Sequence, residues 1–292
     1  MSEHTELCCR SNIDCNNATV KLVRLIIALS VLSICGKATI AAELHPIVEV
    51  QSGYLFGATA DGKWIKAEEA AKALPDETKY RVYGLTQAFG EAKGGKPEPS
   101  KDDVCLDVLA VSLSPKPEKG VIALAAPWNA LPRKPRASDT TQQVYSDAVR
   151  DFLKTKGIEQ PKVKIENILR VDLDGDGEDE VLISATNYFS KDDRVPMRSP
   201  AGSYSMVLLR RVVAGKVETQ LVDGEFHPKA YVRKEDSFDA PNAYKVIATL
   251  DLDGDGKMEV VVDSNYYEGE AITIYHCDPK KVEAVLSVGC GA

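Results

Sequence analysis

Two short stretches of the chain place carboxylates at alternating positions. They are VDLDGDGEDEV, from Val171 to Val181, and LDLDGDGKMEV, from Leu250 to Val260. Counted from its first aspartate, each stretch has aspartate at positions 1, 3 and 5, glycine at position 6 and glutamate at position 9. Carboxylates that alternate along a tightly wound loop converge on one centre. There they repel one another unless they take up protons or hold a cation.

Two calcium sites are the chemistry that this pattern predicts, because Ca²⁺ prefers several hard oxygen ligands and a flexible loop. Softer metals would favour histidine or cysteine, and both loops lack these residues. The predicted ligands of the first loop are Asp172, Asp174, Asp176, the carbonyl of Glu178, and Glu180. Those of the second loop are Asp251, Asp253, Asp255, the carbonyl of Lys257, and Glu259. A solvated acidic turn could explain one such stretch, but two identical copies of DLDGDG favour calcium.

The residues after each loop decide which kind of calcium site this can be. An EF-hand closes its loop with a glutamate at position 12 and lies between helices. Position 12 is Ile183 in the first copy and Val262 in the second, each within an apolar run that is typical of a strand. The chain therefore leaves each loop as a strand, which excludes an EF-hand. Each loop is expected to be self-contained, so Asp174→Ala should affect only its own repeat.

The pattern D-x-D-G-D-G-x-x-[DE]-[VIL] running into a strand resembles the FG-GAP/VCBS repeats of integrin alpha-chain propellers and of many secreted bacterial proteins. The resemblance extends over residues 162–292 and implies a cation in the loop that joins two strands of a propeller blade. Two features depart from the family: Glu180 and Glu259 stand where aspartate is usual, and the flanking glycine-rich stretches are missing. The expected fold is mainly β, with two four-stranded blade-like, propeller-like repeats, a partly β N-terminal region and one packed helix over 139–156.

Composition and periodicity divide the chain into four segments. They are an N-terminal extension with signal peptide (1–42), a mostly β region (43–138), a helix and connector (139–161), and two repeats of four strands each (162–292). Asp61-Gly62 predicts a hairpin turn, and the apolar run 104–113 predicts a strand. Asp139 is the predicted N-cap of the helix, which Gly157 should end.

The start of the chain predicts export. Lys21 and Arg24 precede an apolar run from Leu25 to Ile34 that is followed by small residues, as in a secretory signal peptide. A membrane span needs roughly 20 apolar residues, so a cleaved signal is favoured over an anchor. The formal net charge of −8 and the lack of a basic stripe argue against nucleic acid. We therefore expect a secreted or periplasmic, cell-envelope protein without a stable membrane span, whose partner is an extracellular or envelope protein or a glycan.

Three cysteines follow the predicted signal: Cys105, Cys277 and Cys290. An oxidising compartment allows one disulfide among them and leaves one thiol. Cys277 and Cys290 flank a predicted hairpin turn in which Cys277 would face residue 282. The pair Cys105–Cys290 is therefore favoured, although the sequence alone leaves the other pairings open.

Catalytic motifs are scarce in this chain. It has no H-E-x-x-H, no G-x-S-x-G and no phosphate-binding loop, and His45, His227 and His276 do not have a metal-ligand spacing. Two functions remain. The favoured one is an exported calcium-binding structural or binding module that catalyses no reaction. The alternative is a secreted hydrolase or lyase with structural calcium and an active site in the N-terminal half.

Overall fold

The computed structural model describes residues 43–189, 195–232 and 241–291. The predictions for residues 1–42, including the signal peptide, lie outside these ranges. The helices are α1 (Ala67–Ala73) and α2 (Gln143–Thr155). The strands are β1 (His45–Glu49), β2 (Leu55–Ala60), β3 (Lys63–Lys66), β4 (Thr78–Tyr83), β5 (Ala88–Gly94), β6 (Glu98–Pro99), β7 (Leu109–Ala110), β8 (Leu113–Ser114), β9 (Ile122–Leu124), β10 (Arg136–Ala137), β11 (Ile165–Val171), β12 (Glu180–Thr186), β13 (Ser203–Val213), β14 (Lys216–His227), β15 (Ala243–Leu250), β16 (Glu259–Tyr266), β17 (Gly269–Asp278) and β18 (Lys281–Gly291).

The N-terminal region forms one antiparallel sheet of seven strands in the order β3-β2-β1-β9-β4-β5-β8. The predicted hairpin is confirmed, since Asp61 and Gly62 join β2 to β3 with φ of 49° and 69°. The prediction of a strand over 104–113 is wrong in its first half. The Cys105 N–H donates to the Asp102 carbonyl and the Val108 N–H to the Cys105 carbonyl, so a turn occupies that part and only β7 and the start of β8 are extended.

The two repeats fold as consecutive antiparallel strands. The first forms the sheet β10-β11-β12-β13-β14 and the second the sheet β15-β16-β17-β18. All eight strands predicted for these repeats are present, because each alternates or concentrates β-branched and apolar residues over a strand's length. The short strand β10 was not predicted. It lies in a proline-rich segment and pairs with Leu169 and Arg170 at the edge of the first repeat.

One hydrophobic core joins the three large sheets. Ile47 and Leu124 of the N-terminal sheet belong to the same buried cluster as Leu182 of the first repeat and Val260 and Ile274 of the second. Neighbouring side chains of a strand point to opposite faces, so Ile183 packs in a second cluster on the other face of the first repeat's sheet. The mainly β prediction is therefore confirmed, and the described residues contain no closed barrel or propeller.

The helix α2 covers that other face of the first repeat through Tyr145, Val149 and Leu153. Its predicted N-cap is wrong. The Asp139 carboxylate accepts the N–H and the hydroxyl of Thr141 in a turn that precedes the helix, so the helix begins at Gln143.

The favoured disulfide is present, since Cys105 and Cys290 are bonded with a Cα–Cα distance of 5.7 Å. Cys277 is a buried free thiol and pairs in register with Val282, as the hairpin pattern predicted. Within the described residues, we find no helix with the length and apolar character to cross a membrane.

Candidate metal centre

Each acidic stretch is the connection between the first two strands of its repeat. We call residues 172–179, between β11 and β12, loop 1, and residues 251–258, between β15 and β16, loop 2. Both loops join their two strands in the same register: Val171 pairs with Glu180 in the first repeat, and Leu250 pairs with Glu259 in the second. The position-9 glutamate is thus the first residue of the returning strand in both repeats, where its side chain can reach back into the loop.

The same network of hydrogen bonds fixes the backbone conformation of both loops. In loop 1 the first aspartate, Asp172, accepts the N–H of Gly175 at 2.6 Å and that of Gly177 at 3.1 Å. In loop 2 Asp251 accepts the equivalent N–H groups of Gly254 and Gly256 at 2.8 and 3.2 Å. The remaining bonds are Asp176 N–H to Asp174, Glu178 N–H to Asp176, Asp255 N–H to Asp253 and Lys257 N–H to Asp255. Two unrelated acidic turns would not share all of these contacts.

The glycine at position 6 has the role that the sequence predicted. Gly177 and Gly256 have φ of 92° and 87°, which L-residues with side chains rarely adopt. The sharp turn that reverses each loop therefore requires glycine there.

The structure brings together most of the predicted ligands. Carboxylate oxygens of Asp172, Asp174 and Glu180 lie within 4.8 Å of one another in loop 1, as do those of Asp251, Asp253 and Asp255 in loop 2. Asp176 and Glu178 are exposed and lie outside the first group, although both belong to the wound backbone of loop 1. The Lys257 side chain turns away to Asp278, so only its backbone carbonyl could contribute to loop 2.

The glutamates at position 9 of both loops are buried. Glu180 accepts the Leu173 N–H at 2.7 Å, and Glu259 accepts the Leu252 N–H at 2.9 Å. Burial raises the pKa of each glutamate to about 7, and nearby aspartates add to the effect. Burial likewise raises the pKa of Asp251 to about 6. Carboxylates in this position are costly unless a proton or a cation neutralises them.

Comparison of the chain with protein-family models, with curated proteins and with solved structures gave no match.

The two loops differ in the residue that faces the glutamate. His276 Nδ1 lies 2.9 Å from Glu259, and the ligand atoms of Asp253, Glu259 and His276 also lie within 4.8 Å of one another. The hydrogen bond to Glu259 raises the pKa of His276 to about 9. Near the corresponding Glu180 stands the buried Arg211 instead. No spacing in the sequence indicates His276 as part of the site, because this residue comes close to loop 2 only through the pairing of β16 with β17.

The expectation that each loop is self-contained is wrong. The Met258 N–H of loop 2 donates to the Leu173 carbonyl of loop 1 at 2.8 Å. Arg133 contacts both loops, since its guanidinium donates to the Asp172 carbonyl at 2.5 Å and to the Gly256 carbonyl at 2.7 Å. The two copies of the loop, offset by 79 residues in the chain, become neighbours only when the two sheets pack on a common core, so no local pattern indicated this contact.

The raised pKa values predict how stability depends on pH. Glu180, Glu259 and Asp251 have higher pKa values in the folded state than in unfolded chains, so the stability they contribute is complete below about pH 4 and is lost as the pH rises through 6 to 7. Without divalent cations, the melting temperature should therefore fall between about pH 5 and pH 8. A bound cation stabilises the ionised carboxylates, so the gain from calcium should grow over the same interval.

Differential scanning calorimetry in chelator and in calcium, across this pH range, checks both statements. The double variant Glu180→Gln, Glu259→Gln is the matched control and should lose most of the pH dependence in chelator. A melting temperature in chelator that rises steadily from pH 5 to pH 8 would contradict the assignment of these carboxylates.

Proposed function

We propose that the protein is an exported calcium-binding structural or binding module in which Ca²⁺ rigidifies the two inter-strand loops. The observation that carries the proposal is the duplication of the wound loop. The same aspartate contacts, the same left-handed glycine and the same buried glutamate occur in both repeats. Eight predicted carboxylate ligands in two such loops must be neutralised by protons or by a cation, and above neutral pH calcium fits the oxygen coordination that these side chains offer.

We further infer that the two repeats are blade-like units of the propeller type. Each has four consecutive antiparallel strands with its acidic loop between the first and the second. This placement is what the resemblance to FG-GAP/VCBS repeats implies. The two units pack with a seven-stranded N-terminal sheet, which distinguishes the arrangement from a ring of equivalent blades.

Outside a cell, calcium is abundant, and sites of extracellular modules have dissociation constants of roughly 10⁻⁴–10⁻³ M. Sites of this affinity stay largely occupied there. Calcium therefore acts as a permanent structural component of the module, and the function that it supports is contact with an extracellular or envelope protein or a glycan.

Isothermal titration of the chain, freed of calcium by chelation, tests the proposal. We expect two calcium ions per chain and a decrease to one in Asp251→Ala, because this residue both winds loop 2 and supplies a carboxylate. Asp61→Asn is the matched control: it changes another exposed Asp-Gly turn and should leave two ions bound. No calcium binding by the wild-type chain at millimolar concentration would refute the proposal.

Among the histidines, His227 most resembles a catalytic one, although it lies in the first repeat and outside the N-terminal half in which the alternative hydrolase would have its active site. His227 lies 3.0 Å from the Ser199 hydroxyl and 2.9 Å from Glu225, but both contacts are made by Nε2. A catalytic histidine contacts its nucleophile and its acid through different ring nitrogens, so that it can hold one tautomer and relay a proton. Ser199 is also buried. This group therefore lacks the geometry of a catalytic triad.

A further inference from the structure

The segment between the N-terminal sheet and α2, residues 127–138, contacts both acidic loops in the same way. We call it the connector. The Trp128 Nε1–H donates to the carbonyl of Asp251 at 2.9 Å, and the Arg133 Nε–H donates to the carbonyl of Asp172 at 2.5 Å. Position 1 of each loop thus receives one side-chain hydrogen bond from the connector.

The connector also covers position 4 of each loop. A Cβ atom at Gly254 would lie 3.2 Å from the Trp128 ring, and one at Gly175 would lie 3.4 Å from the Arg133 guanidinium. Both glycines have φ near 80° and carry no side chain. The connector therefore packs directly against the loop backbone at the two places where it crosses the loops. Two loops of one chain are therefore held by one segment at equivalent points.

Arg133 is the residue that reaches from one loop to the other. Besides Asp172, its Nη2 donates to the Leu173 carbonyl at 3.0 Å and to the Gly256 carbonyl at 2.7 Å. Leu173 in turn accepts the Met258 N–H at 2.8 Å. The two groups of loop 2 that are held in this way, Gly256 and Met258, flank Lys257. The Lys257 carbonyl is the predicted backbone ligand of loop 2, so its position depends on the backbone of loop 1.

We infer that Arg133 is a positioning residue that couples the two loops, so that a cation in one loop raises the affinity of the other. The inference rests on the proposed calcium function. A cation in loop 1 orders the backbone at Asp172 and Leu173. Through Arg133 and Met258 the same ordering extends to the Lys257 carbonyl. The second ion then meets a loop in which the Lys257 carbonyl is already ordered, which increases its affinity. By linkage, loop 2 acts equally on loop 1.

Repulsion between two bound cations opposes this effect but does not dominate it. The two loops together hold eight predicted carboxylate ligands, and Arg133 is the cation that bridges their backbones. After one divalent ion has bound, the local charge therefore remains strongly negative. The second ion is still attracted, and the ordering of the backbone sets the sign of the coupling.

Terbium luminescence should respond most strongly to loop 2, because both tryptophans lie beside that loop. The chain has two tryptophans. Trp128 packs on Gly254, and Trp64 lines the same cavity as Asp253 and Asp255. Tb³⁺ is an oxygen-seeking stand-in for Ca²⁺, and its emission after tryptophan excitation monitors occupancy of loop 2. We expect Asp174→Ala in loop 1 to raise the Tb³⁺ midpoint of loop 2 by about tenfold, within the usual range of coupling between sites.

Arg133→Gln should raise the midpoint by a similar factor, and the double variant should raise it no further, since both changes remove one coupling. Arg136→Gln is the matched control, because Arg136 lies in the same connector but pairs with the non-ligand Asp179 of loop 1 only. It should leave the midpoint unchanged.

A midpoint that does not respond to Asp174→Ala would overturn the coupling and leave the calcium proposal intact. Fully additive effects of Asp174→Ala and Arg133→Gln on the midpoint would overturn the coupling through Arg133 and would also leave the calcium proposal intact. Should Arg133→Gln fail to fold, as judged by its circular dichroism, Arg133→Lys takes its place, because lysine keeps the charge but lacks the planar guanidinium that reaches both loops. An absence of sensitised emission in the wild-type chain refutes the calcium proposal itself, and the coupling with it.

Discussion

Removing divalent cations should lower the melting temperature of residues 43–292 by roughly 10–20 °C. In about 10 mM calcium, a site with a dissociation constant of roughly 10⁻⁴ M meets calcium at about 100 times that constant, which stabilises the folded state by about 2.7 kcal/mol per site. Two sites together give about 5 kcal/mol, and for a chain of this size each kcal/mol shifts the melting temperature by roughly 2–4 °C. The effect is large because eight carboxylates are gathered around two loops next to a shared core. Calorimetry in excess EGTA and in calcium measures it.

Magnesium at the same concentration is the control for simple charge screening. Mg²⁺ demands a near-octahedral site and gives up its water reluctantly, so it should produce only a small part of the calcium shift. Melting curves that coincide in EGTA and in calcium would contradict the calcium sites.

Removing the disulfide should lower the free energy of unfolding by roughly 2–5 kcal/mol. Cys105 and Cys290 are separated by 185 residues, so the bridge closes most of the described chain into one loop and restricts the unfolded state strongly. Cys290 lies in β18, the last strand of the second repeat, while Cys105 lies in a turn of the N-terminal region. Urea unfolding of Cys105→Ser, Cys290→Ser against the wild-type chain gives the difference.

The free cysteine offers the control for this comparison. Cys277→Ala removes a buried thiol and leaves the bridge intact, so reductant should still lower the unfolding midpoint of this variant. Reductant should have no effect on the double serine variant. If it leaves the wild-type midpoint unchanged, the stabilising role of the bridge is refuted.

Local sequence patterns were sufficient for the elements that depend on neighbours in the chain. The strands of both repeats follow from runs of β-branched and apolar residues, and the hairpin at Asp61 and Gly62 follows from the conformations that these residues accept. Local sequence patterns were insufficient where polar side chains form hydrogen bonds with the backbone and so replace a helix cap or a strand. Asp139 forms a turn with Thr141 instead of capping α2, and the Asp102 carboxylate accepts the Val104 N–H at the start of the turn that replaces the predicted strand.

The candidate site divides in the same way. Residues within nine positions of one another were enough to predict ten ligands, their order around each loop and the need for glycine at position 6. What surrounds the loops depends on the tertiary structure, which places His276 beside Glu259, Trp128 against loop 2 and Arg133 across both loops. These residues come from other strands and from a proline-rich connector. Their contacts exist because three sheets bury one core, and the packing of sheets is not encoded in the spacing of any single segment.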